Sequence, residues 1–179
     1  IGASVANGDF SSSDETRWLA RLKDALSVRL GRRVEVISAA VAAHTSTQER
    51  IILELMVLPR KPDLVIILDG FNDAALPLQT GTRPGDPYNQ AYIYEENVSP
   101  MLTVGHAMSR HSALVSYLLH QNYFSHLGRN RGRILEDSGL RERYKRSVVS
   151  VYLDNVGSML NRCEQEGVPC LALLQPIRS

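Results

Sequence analysis

A serine between two glycines near the start of the chain has the surroundings of a nucleophile. Ser4 lies between Gly2 and Gly8, on a turn expected to follow a strand. A serine there can project its hydroxyl toward a substrate, and its own N–H points to where an oxyanion would form. Asn72 adds a side-chain N–H, and Ala40 adds a backbone N–H. Three neutral donors around one serine suit acyl transfer, because negative charge develops on the carbonyl oxygen.

The segments before these donors have the pattern of strands. The aliphatic run 64–68 predicts a central parallel strand with helices on both of its faces. Gly70 after it lets the chain turn sharply, so that Asn72 faces inward. Residues 34–37 predict a shorter strand just before Ala40. Because the carboxyl ends of parallel strands meet at one edge of a sheet, we expect the three donors to form a single site.

Helices are predicted between and after these strands by apolar residues at three- and four-residue steps. Capping boxes are predicted at 12–15 and 46–49, and glycines at 31 and 167 are expected to end helices. The predicted helices run from Trp18 to Leu30, from 46 to Pro59 carrying Ile51, Ile52, Leu55 and Met56, from His106 to His126, and from Leu140 to Cys163. A last strand is predicted from Val168 to Leu174.

Strands that alternate with helices indicate an α/β fold with a parallel sheet and right-handed crossovers. The 179 residues fit a single domain over 1–179, with a long irregular loop at 76–100 and a mobile connection at 128–138. The sequence begins at Ile1 rather than Met and stops just past an apolar run. We therefore expect the domain to be incomplete at both ends, without its first strand and its C-terminal part.

Composition excludes several classes of protein. Hydrophobic residues make up 44% and charged residues 22%, which is typical of a globular domain. The net charge of +1 gives no general attraction to nucleic acid or to anionic lipid. The longest aliphatic run has five residues, far short of the roughly 20 that a membrane-spanning helix needs. The sequence predicts neither a nucleic-acid partner nor a membrane span, and it leaves the oligomeric state open.

The two cysteines, Cys163 and Cys170, are seven positions apart. They match neither the CxxC pattern nor a Cys/His metal spacing, so no metal is expected. Two buried thiols and a local disulfide both remain possible, and the compartment stays open.

Three blocks of the sequence together resemble a known enzyme family. The block Gly2-Ala3-Ser4-Val5-Ala6-Asn7-Gly8 looks like the first block of the SGNH (GDSL-like) hydrolases. Gly70-Phe71-Asn72-Asp73 matches their GxND block without gaps, and Ser38-Ala39-Ala40 lies where the glycine of their second block falls. The stretch 152–176 also resembles bacterial members. The GxSxG motif of α/β-hydrolases is absent, which disfavours that fold.

The resemblance implies a three-layer α/β/α, flavodoxin-like fold and a serine esterase without a cofactor. It implies Ser4 as the nucleophile, with the N–H groups of Ser4 and Ala40 and the side chain of Asn72 as the oxyanion hole, supported by Gly2 and Gly70. The expected substrate is a small acyl ester, with O-acetyl groups on a carbohydrate or cell-envelope glycan favoured. An O-acyltransferase with the same site is the nearest alternative. A secreted or periplasmic location is the favoured case.

Two departures from the family leave further alternatives open. The second-block glycine is replaced by Ala40, whose methyl group would crowd the oxyanion hole. The DxxH block, which supplies the base histidine and its aspartate, is absent, and the resemblance places it beyond Ser179. A catalytically degenerate glycan-binding module is one alternative. A histidine recruited from within the sequence is the other, with five candidates: His44, His106, His111, His120 and His126.

Overall fold

The computed structural model describes residues 1–7, 17–80, 83–87, 112, 114 and 134–175, without the side chains of Ser4, Asn7, Gln79 and Thr80. Over these residues the protein is a mixed α/β structure with a parallel two-stranded sheet. None of the described helices is long and apolar enough to span a bilayer. Internal contacts divide the chain into two compact units, Ile1–Asn72 with Tyr152–Ser179, and Asp73–Val151.

The secondary structure follows in chain order. The helices are α1 (Ser4–Asn7), α2 (Trp18–Leu30), α3 (Ser46–Ile52), α4 (Phe71–Thr80) and α5 (Ser138–Gln165). A π-helical turn, Leu53–Val57, and a 3₁₀ turn, Leu58–Arg60, continue α3 without a break. The strands are β1 (Val65–Asp69) and β2 (Cys170–Leu174). Residues 134–136 are also helical.

Strand β1 makes backbone hydrogen bonds at both of its edges, which agrees with the central position that its apolar sequence indicates. It pairs in parallel with β2, in a register that sets Val65 against Cys170 and Asp69 against Leu174. At the other edge, the N–H of Leu68 donates to the carbonyl of Ile1 at 3.1 Å. The prediction of a parallel strand in this segment is therefore confirmed, although the strand runs from Val65 to Asp69 rather than over 64–68.

The core of the first unit lies between β1, the end of α5 and the turns that follow α3. Its buried members are Leu53, Leu58, Val65, Ile67, Val156, Met159 and Cys163. The helical periodicity of the sequence correctly predicts α5 and its buried face. Helix α2 likewise ends at Gly31, whose φ of 61° is left-handed.

Helix α3 begins at Ser46 as expected, but its capping box lies one residue earlier than predicted and a different face of the helix packs against the core. Its capping box joins Thr45 and Gln48, with the Thr45 N–H donating to Gln48 Oε1 at 2.8 Å. In the π turn the N–H of Leu58 donates to the carbonyl five residues back, that of Leu53, and both leucines are buried. This rotation leaves three of the expected apolar residues exposed: Ile51, Leu55 and Met56.

The short strand predicted at 34–37 does not form. The N–H of Val34 donates instead to Ser27 Oγ at 3.1 Å, at the end of α2. The side chain of Ile37 is 66% exposed, so burial does not hold this segment against the sheet. Ala40 alone joins the sheet, through a single bridge.

The loop expected at 76–100 starts as helix, because α4 continues to Thr80 through the buried Pro77. The Tyr144 hydroxyl donates a hydrogen bond to the carbonyl of Ala74, three residues before the proline. Tyr144 thus supports the helix at the turn that a proline would otherwise interrupt.

The connection expected at 128–138 is also partly helical. Residues 134–136 form a helical turn, and α5 begins at Ser138, where the Asp137 side chain accepts the N–H of Leu140 at 2.9 Å. Five predicted segments lie outside the described residues: the capping box at 12–15, the loop at 88–100, most of the helix at 106–126, the connection at 128–133, and everything after 175.

Candidate active site

Gly2 joins two other segments of the chain. It forms parallel bridges to both Ala40 and Leu68, and its carbonyl accepts the N–H of Val41 at 3.0 Å. Its φ of 152° lies outside the range that other residues adopt readily, and a Cβ there would overlap Ala6 Cβ and the Leu68 carbonyl oxygen. Three separate segments can therefore meet at this position because it is a glycine.

Ser4 starts α1, two residues beyond Gly2. The short helix is held in place by Ala3 and Ala6, which are each only 2% exposed. In addition, Trp18 Nε1 donates to the carbonyl of Ala6 at 2.9 Å. The backbone of Ser4 thus has a defined place beside the bridge from Gly2, while its side chain lies outside the described atoms.

Ala40 is the second expected backbone donor. Its N–H donates to Ser38 Oγ at 3.4 Å, a long and therefore weak hydrogen bond. The φ of Ala40 is not positive, so an alanine is accommodated there without left-handed strain. The left-handed residue of this loop is Ala43, with a φ of 60°.

Residues Val41 to His44 form a tight turn that is held by hydrogen bonds at its start and at its end. The N–H of His44 donates to the Val41 carbonyl at 3.2 Å, and Ala43 is its left-handed third residue. That position ordinarily takes glycine or asparagine, so the alanine is strained. The bond from Val41 to Gly2 anchors the start of the turn, and the capping box at Thr45 anchors its end.

Asn72 is buried, at 8% exposure, in the first turn of α4. Its Nδ2 donates to the backbone carbonyl of His44 at 2.8 Å. Gly70 permits the sharp turn from β1 with a φ of 121°, and a Cβ there would come within 2.5 Å of Leu174 Cδ1. A carboxamide nitrogen carries two N–H groups, so one remains for another acceptor. The structure therefore brings Asn72 to the turn that follows Ala40.

His44 is the one histidine of the five candidate bases that lies within the described residues. Its side chain is partly buried, and burial lowers the pKa of the imidazole below its ordinary value, which favours the neutral form at pH 7. Its Nδ1 is buried without a hydrogen-bond partner in the described part of the chain. The other candidates, His106, His111, His120 and His126, lie outside the described residues.

A buried polar contact that the sequence analysis missed lies behind the turn. Asn155 on α5 donates to Ser46 Oγ at 3.0 Å and to Thr47 Oγ1 at 2.9 Å. The sequence could have indicated this contact. Asn155 falls three residues after Tyr152 and four before Met159, which places it on the apolar face of the helix. A polar residue on such a face marks a buried hydrogen bond.

The carboxyl end of β1 carries a further buried group. Asp69 is fully buried, and its backbone carbonyl accepts the N–H of Gln175 at 2.9 Å.

Among the described residues, no group of three histidine, cysteine or acidic side chains could hold a metal ion.

Comparisons with protein-family models, with curated proteins and with solved structures found no match.

Proposed function

We propose that the protein is a serine esterase of the SGNH (GDSL-like) type that hydrolyses a small acyl ester. The observation that carries this proposal is the double bridge of Gly2 to Ala40 and Leu68. It supports a common site for three blocks that are distant in sequence, and those are the blocks that resemble the family.

In the proposed mechanism the Ser4 hydroxyl attacks the ester carbonyl, and an acyl-enzyme forms on its oxygen. The N–H of Ser4 is a suitable donor because a residue that starts a helix has no carbonyl four residues back to bond. The Asn72 side chain has a second N–H beside the one that His44 accepts, because a carboxamide nitrogen carries two. The N–H of Ala40 would exchange a weak bond to Ser38 for a stronger one to a charged oxyanion.

The proposed fold is the three-layer, flavodoxin-like sheet of that family. Its support is the order of the parallel segments, which runs from Ala40 through Gly2 and β1 to β2. In this order the segment at Gly2, which comes first in the chain, lies between Ala40 and β1, which both come later. Successive segments are therefore added on opposite sides of Gly2. Open parallel sheets bind ligands at such a change in strand order, outside the carboxyl ends of the strands.

The proposed substrate is an O-acetyl group on a carbohydrate or cell-envelope glycan, a class taken from the resemblance. The resemblance also implies a base histidine that is oriented by an aspartate. A serine hydroxyl without a base is a weak nucleophile at neutral pH. Tests of the proposal therefore use the full-length protein.

The deciding experiment combines hydrolysis of p-nitrophenyl acetate with labelling by a fluorophosphonate. We expect the label on Ser4, and we expect Ser4→Ala to abolish both hydrolysis and labelling. Ser158→Ala is a matched control, because Ser158 is an exposed helix serine whose hydroxyl bonds only the Asp154 carbonyl among the described residues. Full hydrolysis by Ser4→Ala would remove the assignment.

A second experiment distinguishes an esterase from an O-acyltransferase. It measures acetyl transfer from an acetylated donor to a sugar and compares it with the release of acetate.

A further inference from the structure

The two cysteines form a thiol pair far from the candidate active site. Cys170 starts β2, opposite Val65, whereas the candidate site lies beyond the other end of the strand pair, near Asp69. Four residue steps along a strand span about 13 Å. Both cysteines are free, Cys163 is fully buried, and Cys170 packs against the core cluster that contains Cys163. Chemistry at this pair is therefore separate from the proposed ester hydrolysis.

A tight helix end brings the two thiols together. The N–H of Val168 donates to the Cys163 carbonyl, and the N–H of Gly167 to the Glu164 carbonyl, both at 2.9 Å. With Gly167 left-handed at a φ of 69°, this is a Schellman motif, which reverses the chain within a few residues. Across this turn, Cys170 packs against the buried cluster of which Cys163 is a member. The contact thus results from a short turn that is itself fully bonded.

The pair is open to small molecules from one side. A pocket of about 360 Å³ is lined by Leu160, Glu164, Gly167, Val168, Pro169 and Cys170. Cys170 is only partly buried, whereas Cys163 behind it has no exposed surface. A reagent entering this pocket therefore meets Cys170, which lines it, before Cys163, which does not.

We propose that Cys163 and Cys170 are a modification site, a dithiol that a low-molecular-weight disulfide such as glutathione disulfide oxidises to an internal disulfide. The Cys170 thiolate attacks one sulfur of the reagent and releases one glutathione thiolate. Cys163 then attacks the Cys170 sulfur of the mixed disulfide, and the second glutathione leaves. Two electrons pass from the protein to the reagent, and the two protein protons end on two glutathione thiols.

The burial of the pair sets its reactivity. Burial raises the pKa of Cys170 to about 12. Since the thiolate is the attacking species, the native pair reacts slowly near neutral pH. We therefore expect oxidation of the pair to be slow at neutral pH and to become faster as the pH rises.

The test treats the folded full-length protein with excess glutathione disulfide at about pH 8, followed by alkylation under denaturing conditions and mass spectrometry. We expect the alkylated peptides of Cys163 and Cys170 to be lost together, and a cross-linked peptide about 2 Da lighter than its reduced parts to appear. Cys163→Ala should instead trap a glutathione adduct on Cys170, because the resolving thiol is absent. Cys170→Ser should leave the buried Cys163 unmodified.

Three results would overturn the proposal. One is a stable glutathione adduct on Cys170 of the unsubstituted protein. The second is modification of Cys163 in Cys170→Ser, which would show that Cys163 is reached directly. The third is a native pair that stays reduced while the urea-unfolded chain forms the disulfide. Circular dichroism of each variant before treatment verifies that the folded protein is the one tested.

Discussion

The carboxamide of Asn72 donates a hydrogen bond to the backbone carbonyl of His44 at 2.8 Å. The two residues are 28 positions apart, one in a tight turn and the other in the first turn of α4. The carbonyl fixes the direction of the amide plane, and with it the direction of the second N–H. In the proposed esterase, the turn at 41–44 would therefore position an oxyanion donor without touching the substrate.

The first prediction concerns Asn72→Ala in the full-length protein. We expect turnover of p-nitrophenyl acetate to fall by about 10²–10³, the usual loss for one oxyanion-hole donor. The substitution also leaves the His44 carbonyl unpaired, so the free energy of unfolding should fall by about 1–3 kcal/mol. Turnover is measured at saturating substrate and stability by urea denaturation. A loss of turnover below threefold in a folded protein would place Asn72 outside the oxyanion hole.

The second prediction uses the strained turn. Ala43→Val places a β-branched residue at a φ of 60°, where it should lower the free energy of unfolding by about 1–2 kcal/mol. The turn should shift, and the His44 carbonyl and Asn72 should shift with it, so we expect kcat to fall more than KM changes. Ala42→Val is the matched control, because Ala42 is exposed in the same turn without a positive φ. Equal kinetics for the two variants would separate the turn from catalysis.

The third prediction concerns the buried amide on α5. Asn155→Ala removes the donor to Ser46 and Thr47, and we expect it to lower the free energy of unfolding by about 1–3 kcal/mol. Turnover per folded molecule should stay unchanged, because Asn155 lies behind α3 in the polar contact described above. Asn161→Ala, on an exposed position of the same helix, should change stability by less than about 0.5 kcal/mol. Urea denaturation of both variants distinguishes a buried hydrogen bond from a general helix effect.

The fourth prediction is a loss of stability in alkali that depends on Tyr144. Burial raises the pKa of the Tyr144 hydroxyl from 10.0 to about 12. The folded state therefore keeps this proton at pH values where the unfolded chain has lost it. The contribution to stability is complete below about pH 10 and is lost as the pH rises toward 12.

Tyr144→Phe tests that assignment. The variant removes the bond to the Ala74 carbonyl and should lower the free energy of unfolding by about 0.5–1.5 kcal/mol at neutral pH. The stability difference between the variant and the unsubstituted protein should shrink between pH 10 and pH 12. Tyrosinate absorbance, compared between the two proteins, should lose one late-titrating group. A titration of that group near pH 10 would contradict the prediction.

Long apolar patterns predicted the parts of the fold that burial alone determines. The run before Asp69 predicted β1, and the repeat from Leu140 to Cys163 predicted α5, because each element has one way to bury its apolar residues. The strand at 34–37 was wrong because a hydroxyl, Ser27 Oγ, takes the N–H of Val34. The loop predicted at 76–100 was wrong in its first five residues, where a distant tyrosine supports the helix around Pro77. Neither Ser27 nor Tyr144 lies in the segment that it affects, so the local sequence pattern of that segment could not indicate the contact.

The candidate site was predictable where it depends on glycine. The backbone at Gly2 and Gly70 needs a conformation that other residues avoid, and their spacing relative to Ser4 and Asn72 was visible in the sequence. The role of His44 in orienting Asn72 could not be predicted, because it depends on a backbone carbonyl, which every residue has. Only the geometry of the turn determines which carbonyl points toward Asn72. The left-handed Ala43 gave no signal either, because alanine is a rare choice at such a position.

The π turn at Leu53–Val57 has a consequence for insertions and deletions. The turn holds Leu53 and Leu58 in the same core over five positions. In a regular α-helix of 3.6 residues per turn, five positions rotate about 140° past a full revolution and would separate these side chains. A homologue with one residue fewer in this segment would regain regular winding and preserve the core with little change. Two such sequences should therefore align with a one-residue gap between Leu53 and Leu58.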